Sequence, residues 1–422
     1  MVEKRKPIPV GEAVSRVIAL AGSGKKERVH IEQSYGRTLA EDLRALHPVP
    51  PFDRSPYDGF AIRSKDSKHA SKDHPVTFTI TETIGAGFVA SKKVNEFEAA
   101  RIMTGAKMPE ECDAVVMLEL TTQTSKNGQE SMSIKRAFKK GDNISFTGED
   151  TKEGDVLVQK GTKITPGVVA VLATFGYEYV EVARKPLIGI YATGSELLDV
   201  SEELEPGKIR NSNAYMAAAQ ITAAGGEVRM LGKLDDELES CYASIREAIN
   251  QVDILITTGG VSVGDFDFLP AIYDKLGAEV LFNKIAMRPG SVTTVAHLNG
   301  KLLFGLSGNP SACFVGFELY VRPVINLRLF KTKPHLLKVK ARLSKDFPKP
   351  NPFTRFVRSK LSYEENGLFA APNGFDKSSA VTSLAGADCF IVLPGGTRGY
   401  AEGDRIDVLL LESAEGSEWP WT

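Results

Sequence analysis

The sequence predicts a multidomain α/β and β protein: a central three-layer α/β domain, a β-rich insertion, and a small C-terminal β-barrel. Three observations predict it. Apolar strand-like runs alternate with helical patterns between residues 183 and 330, which implies a mostly parallel sheet wrapped by helices. Short runs of period-two alternation dominate before and after that region. The chain has 422 residues, beyond the size at which one hydrophobic core usually stops growing.

An amphipathic helix is expected from about Val10 to Ala21, where Val10, Ala13, Val14, Val17, Ile18 and Ala21 fall at helical spacing before Gly22 and Gly24. His47-Pro48-Val49-Pro50-Pro51-Phe52 reads as an extended connector, because proline fixes φ and donates no amide hydrogen. Val76, Phe78 and Ile80 alternate with threonine, and Asp113 to Leu118 forms a short apolar strand. Thr121 to Glu130 is polar and reads as a hairpin tip or loop. In the α/β region, strands are expected at Pro186–Ala192, Val228–Gly232 and Val252–Thr257, with helices after Asn211-Ser212-Asn213 and from Leu238 to Asn250. Beyond Pro334, strands are expected at Ala380–Leu384, Cys389–Leu393 and Ile406–Leu411, with Pro394-Gly395-Gly396 as a turn. The tail from Glu412 to Thr422 is expected to fray. The domains expected are 1–47 with 146–182, 48–145, 183–330, and 331–422.

Composition narrows the function. A formal net charge of −1 gives no overall field for gripping nucleic acid or an acidic membrane, so any anion site must be local. The four cysteines form no CxxC pair and the six histidines do not cluster, which argues against a disulfide framework, a structural zinc site or a His-based metal centre. No signal-peptide core or membrane-length apolar run stands in the sequence, so a cytoplasmic location is expected.

Five segments carry candidate chemistry. Asp253 to Asp267 runs a buried strand into Thr258-Gly259-Gly260, then Ser262, Gly264, Asp265 and Asp267. Glycines let backbone amides approach an anion, and the two carboxylates suit Mg²⁺ against a phosphate. A plain strand-to-helix turn with a capping Asp is the bland reading. Phe304 to Ala312 holds Gly308-Asn309-Pro310, a strong helix start whose free amides suit an anion, although every helix needs a cap. Lys284 and Arg288 place two cations four residues apart near a strand end, suited to an oxyanion or simply a solvated basic strand. Ser55 to Ala61 contains Asp58, and Thr104 follows in Arg101 to Ala106; such turns are usually only turns. Thr193-Gly194-Ser195-Glu196 and Asp235-Asp236 lie where the carboxyl ends of parallel strands gather. Glu196, Asp235, Asp265 and Asp267 on one edge would repel one another unless a cation sits among them.

Together these segments resemble the molybdopterin molybdenumtransferase family, which includes the C-terminal domain of gephyrin. The resemblance spans nearly the whole chain, through Ser55–Ala61, Thr104–Ala106 with Asp113–Val116, Thr193–Leu197, Ser212-Asn213, Thr258–Asp267 and Gly305–Pro310. It implies an α/β domain of the molybdenum-cofactor-biosynthesis type and an elongated homodimer. It further implies a reaction joining molybdate with adenylylated molybdopterin, Mg²⁺ assisting and AMP leaving. On that basis Glu196, Asp235 and Asp267 are expected around the metal, Lys284 as a basic active-site residue, and Asp58 and Thr104 as residues contributed across the dimer. Gly259, Gly260, Ser262, Gly264, Asp265, Gly308, Asn309 and Pro310 are expected at the pterin nucleotide. Arg288 stands where many members have Lys, Ser291 where Lys is common, and Ser307 where Pro is usual. Molybdate is expected either near Lys284, Arg288 and Ser378, or near Arg355 and Arg358. Transient contact with the molybdopterin adenylyltransferase is implied, and neither nucleic acid nor membrane is expected as a partner. Two other readings compete: that adenylyltransferase itself, and a non-catalytic scaffold of the gephyrin kind.

Overall fold

The computed structural model describes residues 6–234, 237–260, 269–413 and 415–421. The chain forms two compact units. One comprises Met1–Glu41, Lys160–Val169 and Glu178–Thr422; the other comprises Asp42–Gln159 and Ala170–Tyr177.

The first unit is built on a six-stranded sheet of β1 (Leu187–Thr193), β2 (Glu227–Leu234), β3 (Ile254–Thr258), β4 (Glu279–Phe282), β5 (Thr294–Leu298) and β6 (Lys301–Leu306). Their order is β2-β1-β3-β6-β5-β4. Strands β2, β1, β3 and β6 run parallel, and β5 is antiparallel to both its neighbours. Every residue of β3 is buried, as a central parallel strand covered on both faces requires. Its alternation decides the layers. Ile254 and Ile256 join one core, with helices α1 (Val10–Ala19) and α2 (Ser212–Ala224), while Leu255 joins another with α3 (Leu238–Gln251) and α4 (Leu269–Lys275). Leu302 and Phe304 divide from Leu303 in the same way. The result is the three-layer arrangement expected.

Local signals place the helices. Asn211 caps α2 by accepting from Ala214 N at 3.2 Å, and α2 ends on Gly225, whose φ of 96° is left-handed. Helix α5 (Pro310–Gly316) starts with proline at its first turn.

Five strands close a barrel after the sheet: β7 (His335–Leu343), β8 (Thr354–Glu364), β9 (Gly367–Pro372), β10 (Cys389–Leu393) and β11 (Arg405–Leu410). The ring β8-β9-β7-β11-β10 returns to β8, so none of the five is left as an open edge. Ala380–Leu384 is not one of its strands. It forms a turn in which Ala380 O accepts from Ser311 Oγ at 2.5 Å and Ser383 O accepts from Asn373.

The tail also departs from expectation. Gly416-Ser417 pairs with His335-Leu336, and Lys338 Nζ donates to Pro420 O at 2.8 Å. His335 lies edge-on to Trp419 and Trp421, and Trp421 packs on the core that α1 shares. Two aromatic side chains on an apolar floor offset the entropy of ordering the tail.

The second unit carries a six-stranded sheet in the order Ala114–Met117, Gly59–Ile62, Glu98–Ile102, Val76–Ile84, Gln129–Ile134, Thr121–Lys126. Thr121 to Glu130, expected as a hairpin tip or loop, lies within a hairpin around Asn127-Gly128, whose φ values of 53° and 79° are those of a tight strand-to-strand turn. The segment is polar because its outer strand is an exposed sheet edge. Among the described residues, no helix is long and apolar enough to cross a membrane.

Trp419 and Trp421 are the chain's only tryptophans, so tryptophan fluorescence reports on the tail alone. Trp421→Ala is expected to lower stability by about 2 kcal/mol in urea titration, less than a fully buried aromatic because Trp421 is only partly covered. An unchanged midpoint would mean the tail does not hold α1.

Candidate functional site

The register brings the carboxyl ends of β1, β2, β3 and β6 level: Thr193 lies beside Leu234, Ala192 beside Thr258, and Thr258 beside Leu306. The loops leaving these strands therefore meet at one edge, where open α/β sheets bind ligands. Gly259 has φ 96°, and a Cβ there would stand 2.6 Å from Thr193 Oγ1 and 2.7 Å from Thr193 O. No side chain fits, so glycine is what lets the two loops touch.

A cavity of about 630 Å³ opens at this edge. Glu196, Gly259, Gly260, Gly308, Asn309 and Pro310, all expected at the site, line it together with Asn213. Its volume lies in the range of small-molecule sites. Asn213 Nδ2 donates to Gly308 O at 2.7 Å, which pins the loop after β6 to the start of α2. Asp235, Ser262, Gly264, Asp265 and Asp267 lie outside the described residues. The residues that flank them, Leu234, Gly260 and Leu269, line the same cavity as Glu196. Glu196 makes no ion pair with the described residues, and its hard oxygens suit Mg²⁺. No group of three potential metal ligands gathers among the described residues.

A second cavity of about 400 Å³ adjoins the first, sharing Val292, Ser307 and Asn309 as wall. Arg288, Arg355, Arg358 and Ser378 all line it. The sequence left these as two alternative clusters, and the fold joins them: Met287-Arg288 pairs in parallel with Thr354-Arg355. Lys377 adds a fourth cation and Asp376 the opposing carboxylate, an excess of three positive charges in a chain of net charge −1. Positive charge is thus concentrated in this wall, although the chain as a whole is near neutral.

The arginines differ in what they do. Arg358 is 1% exposed and spends its donors inward, on Asp376 Oδ1 at 3.3 Å, Ser383 Oγ, and the carbonyls of Phe375 and Lys377 at 3.2 Å. Burial pushes its pKa down, opposed by Asp376, and the guanidinium stays charged. Arg355 donates Nη2 to Asp376 Oδ2 at 2.6 Å. Arg288 is exposed and has no carboxylate partner among the described residues. Lys284 lines neither cavity; it is half-buried, and its carbonyl accepts from Ile8 N at 3.2 Å.

The helix start at Asn309-Pro310 is not the open anion site expected from its sequence. Ser311 N–H donates to Ser378 O at 3.0 Å, and Asn309 N–H donates to Ser307 Oγ at 3.2 Å. The loop carrying Ser378 occupies the first of those donors, and Ser307 the second. Sequence reasoning missed Asn213 as a wall residue, although its helix-start pattern marked the place, and missed Asp376, which carried no local signal.

In the second unit, Asp58 and Thr104 come together. Asp58 Oδ1 accepts from Thr104 N at 2.7 Å and from Thr104 Oγ1 at 3.0 Å. Ser55 O accepts from Gly105 N at 2.7 Å and Ala106 O from Ser55 N, which holds the two turns in register.

An open α/β sheet with two adjoining cavities at its carboxyl edge, followed by a closed barrel, defines a multidomain α/β protein built to bind small molecules, and comparison with known families says which. Residues 8–176 match the MoeA N-terminal region (domain I and II), residues 189–327 the probable molybdopterin binding domain, and residues 340–411 the MoeA C-terminal region (domain IV). The chain is 61% identical over 422 residues to the molybdopterin molybdenumtransferase of Bacillus subtilis, covering all of this chain and 98% of that one. It is 50% identical to that of Staphylococcus aureus, covering 99% of each. Two crystal structures of a molybdopterin biosynthesis MoeA protein from Pyrococcus horikoshii superpose with TM-scores of 0.86 and 0.80. They are 32% and 30% identical and cover 97% and 96% of this chain and all of each of theirs. The chain belongs to the MoeA family of molybdopterin molybdenumtransferases.

Asp58 gives a pH-dependent prediction. The backbone N–H of Thr104, then its hydroxyl, hold the carboxyl below its ordinary 3.8, with Arg101 helping. A depressed folded pKa means the turn is stabilised above the unfolded value and loses that support as pH falls through the folded one. Thr104→Ala should raise the Asp58 pKa, still leaving it below 3.8 because the N–H remains. Carboxyl NMR titration reads this directly, and an unmoved pKa would show that the hydroxyl does not matter.

Proposed function

We propose that this chain inserts molybdenum from molybdate into adenylylated molybdopterin with release of AMP. The observation that carries this reading is the pair of cavities with a common wall, one sized for a pterin nucleotide and one lined by arginines and serines for a tetrahedral dianion. Arg288, with no carboxylate partner among the described residues, binds an oxyanion oxygen. Arg355 and Arg358, held by Asp376, keep the barrel side of the cavity in place, and Ser378 adds a neutral donor.

The nucleotide lies over Gly259, Gly260, Gly308 and Asn309, where small residues let backbone approach the phosphates. Ser262, Gly264 and Asp265 bind the same nucleotide in this reading. Glu196, Asp235 and Asp267 would hold Mg²⁺, which would supply positive charge against the phosphoanhydride. Lys284 contributes positive charge near the strand end. The enzyme works as a cytoplasmic homodimer, in which Asp58 and Thr104 serve the neighbouring subunit, and it receives its adenylylated substrate by transient contact with the adenylyltransferase. The four-domain division 1–47 with 146–182, 48–145, 183–330 and 331–422 belongs to the same reading.

The test is AMP release from adenylylated molybdopterin. Molybdate should be required for it. Release at the same rate without molybdate counts against the reading, and formation of adenylylated product from ATP and molybdopterin would favour the adenylyltransferase. Arg288→Ala should raise the KM for molybdate about tenfold or more, the effect of losing one hydrogen bond to a charged group, with an unchanged melting temperature. An unaltered KM would remove Arg288 from the site.

A further inference from the structure

We propose that Ser307 is a positioning residue whose hydroxyl donates to an anionic ligand oxygen at the seam between the two cavities. The inference rests on the molybdenumtransferase reading and deepens it.

Ser307 follows β6 and belongs to the walls of both cavities. It is 4% exposed. Its backbone is fixed on either side: Leu306 O accepts from Gly259 N at 2.9 Å, and Gly308 O accepts from Asn213 Nδ2 at 2.7 Å. Its Oγ accepts the Asn309 N–H at 3.2 Å. A hydroxyl carries one donor hydrogen besides its lone pairs. With the Asn309 amide on one lone pair, that hydrogen has no acceptor among the described residues.

With no ligand bound that hydrogen is met by cavity water, and an anionic oxygen displacing the water makes a stronger, charge-assisted bond. The fixed backbone on either side holds the hydroxyl ready for such an oxygen. Its place selects which oxygen. The larger cavity holds the nucleotide's phosphoryl group and the smaller one the oxyanion, and Ser307 faces the boundary they share. The recognised chemistry is a tetrahedral anionic oxygen, from molybdate or from the adenylate phosphoryl group.

The experiment compares the wild-type chain with Ser307→Ala and Ser307→Thr in AMP release, varying molybdate and adenylylated molybdopterin separately. Ser307→Ala should lose about 10- to 100-fold in kcat/KM, as expected for a hydrogen bond to a charged group, and Ser307→Thr should recover most of it. A rise confined to the molybdate KM assigns the hydroxyl to the oxyanion. A rise confined to the adenylate KM assigns it to the phosphoryl group. A fall in kcat alone assigns it to an oxygen that gains charge during the reaction. Equal kinetics in wild type and Ser307→Ala would overturn the inference, as would failure of Ser307→Thr to recover. Ser307→Cys, similar in size and a weak donor, repeats the test if the alanine variant melts early. A wild-type chain that releases no AMP on adding molybdate sinks the functional reading itself, which separates the two failures.

Discussion

The contact of Gly259 with Thr193 is the constraint from which the site follows. Four parallel strands end level, and their loops must converge without filling the space they enclose. A Cβ at Gly259 would meet the backbone oxygen of Thr193, and Gly308 passes close to Gly259 Cα from the third strand end. The loops after β1 and β3 can touch only because Gly259 lacks a side chain. What remains open beside them is the larger cavity, with Glu196 in its wall.

The second cavity depends on a different balance. Arginines that line an anion site repel one another unless something holds them, and here Asp376 does so from within the wall. Arg358, nearly fully buried, is tied to the carbonyls of residues 375 and 377 and acts on the loop more than on any ligand. That loop in turn places Ser378 O on the first amide after Pro310. The barrel and the α/β sheet thereby share one wall, and a near-neutral chain concentrates positive charge in it.

Much of this was legible in the sequence. The alternation of strand and helix between residues 183 and 330 is strong because central parallel strands are buried on both faces, and Ile254–Thr258 shows it. Motif order carried the family resemblance, and most of its described glycine and arginine positions meet in two adjoining cavities. Lys284 does not, because the register of β4 and the bridge at Ile8 leave it outside both walls. Other features depend on tertiary partners. Thr121–Lys126 reads in sequence as a hairpin tip or loop, and its pairing through an Asn-Gly turn decides for the hairpin. Val381 alternates like a strand residue, yet the segment turns because Ser383 and Ala380 answer groups on other elements. The tail orders because Trp421 finds a core contributed by α1. The free hydrogen of Ser307 is invisible in sequence, since it depends on which neighbours bind its oxygen.

The measurement that tests the central claim most directly is a molybdate-soaked crystal examined by anomalous scattering at the molybdenum edge. One peak is expected in the smaller cavity, within hydrogen-bonding reach of Arg288 and Ser378 and beside the Ser307 wall. A peak elsewhere, with that cavity empty under saturating molybdate, would contradict the account.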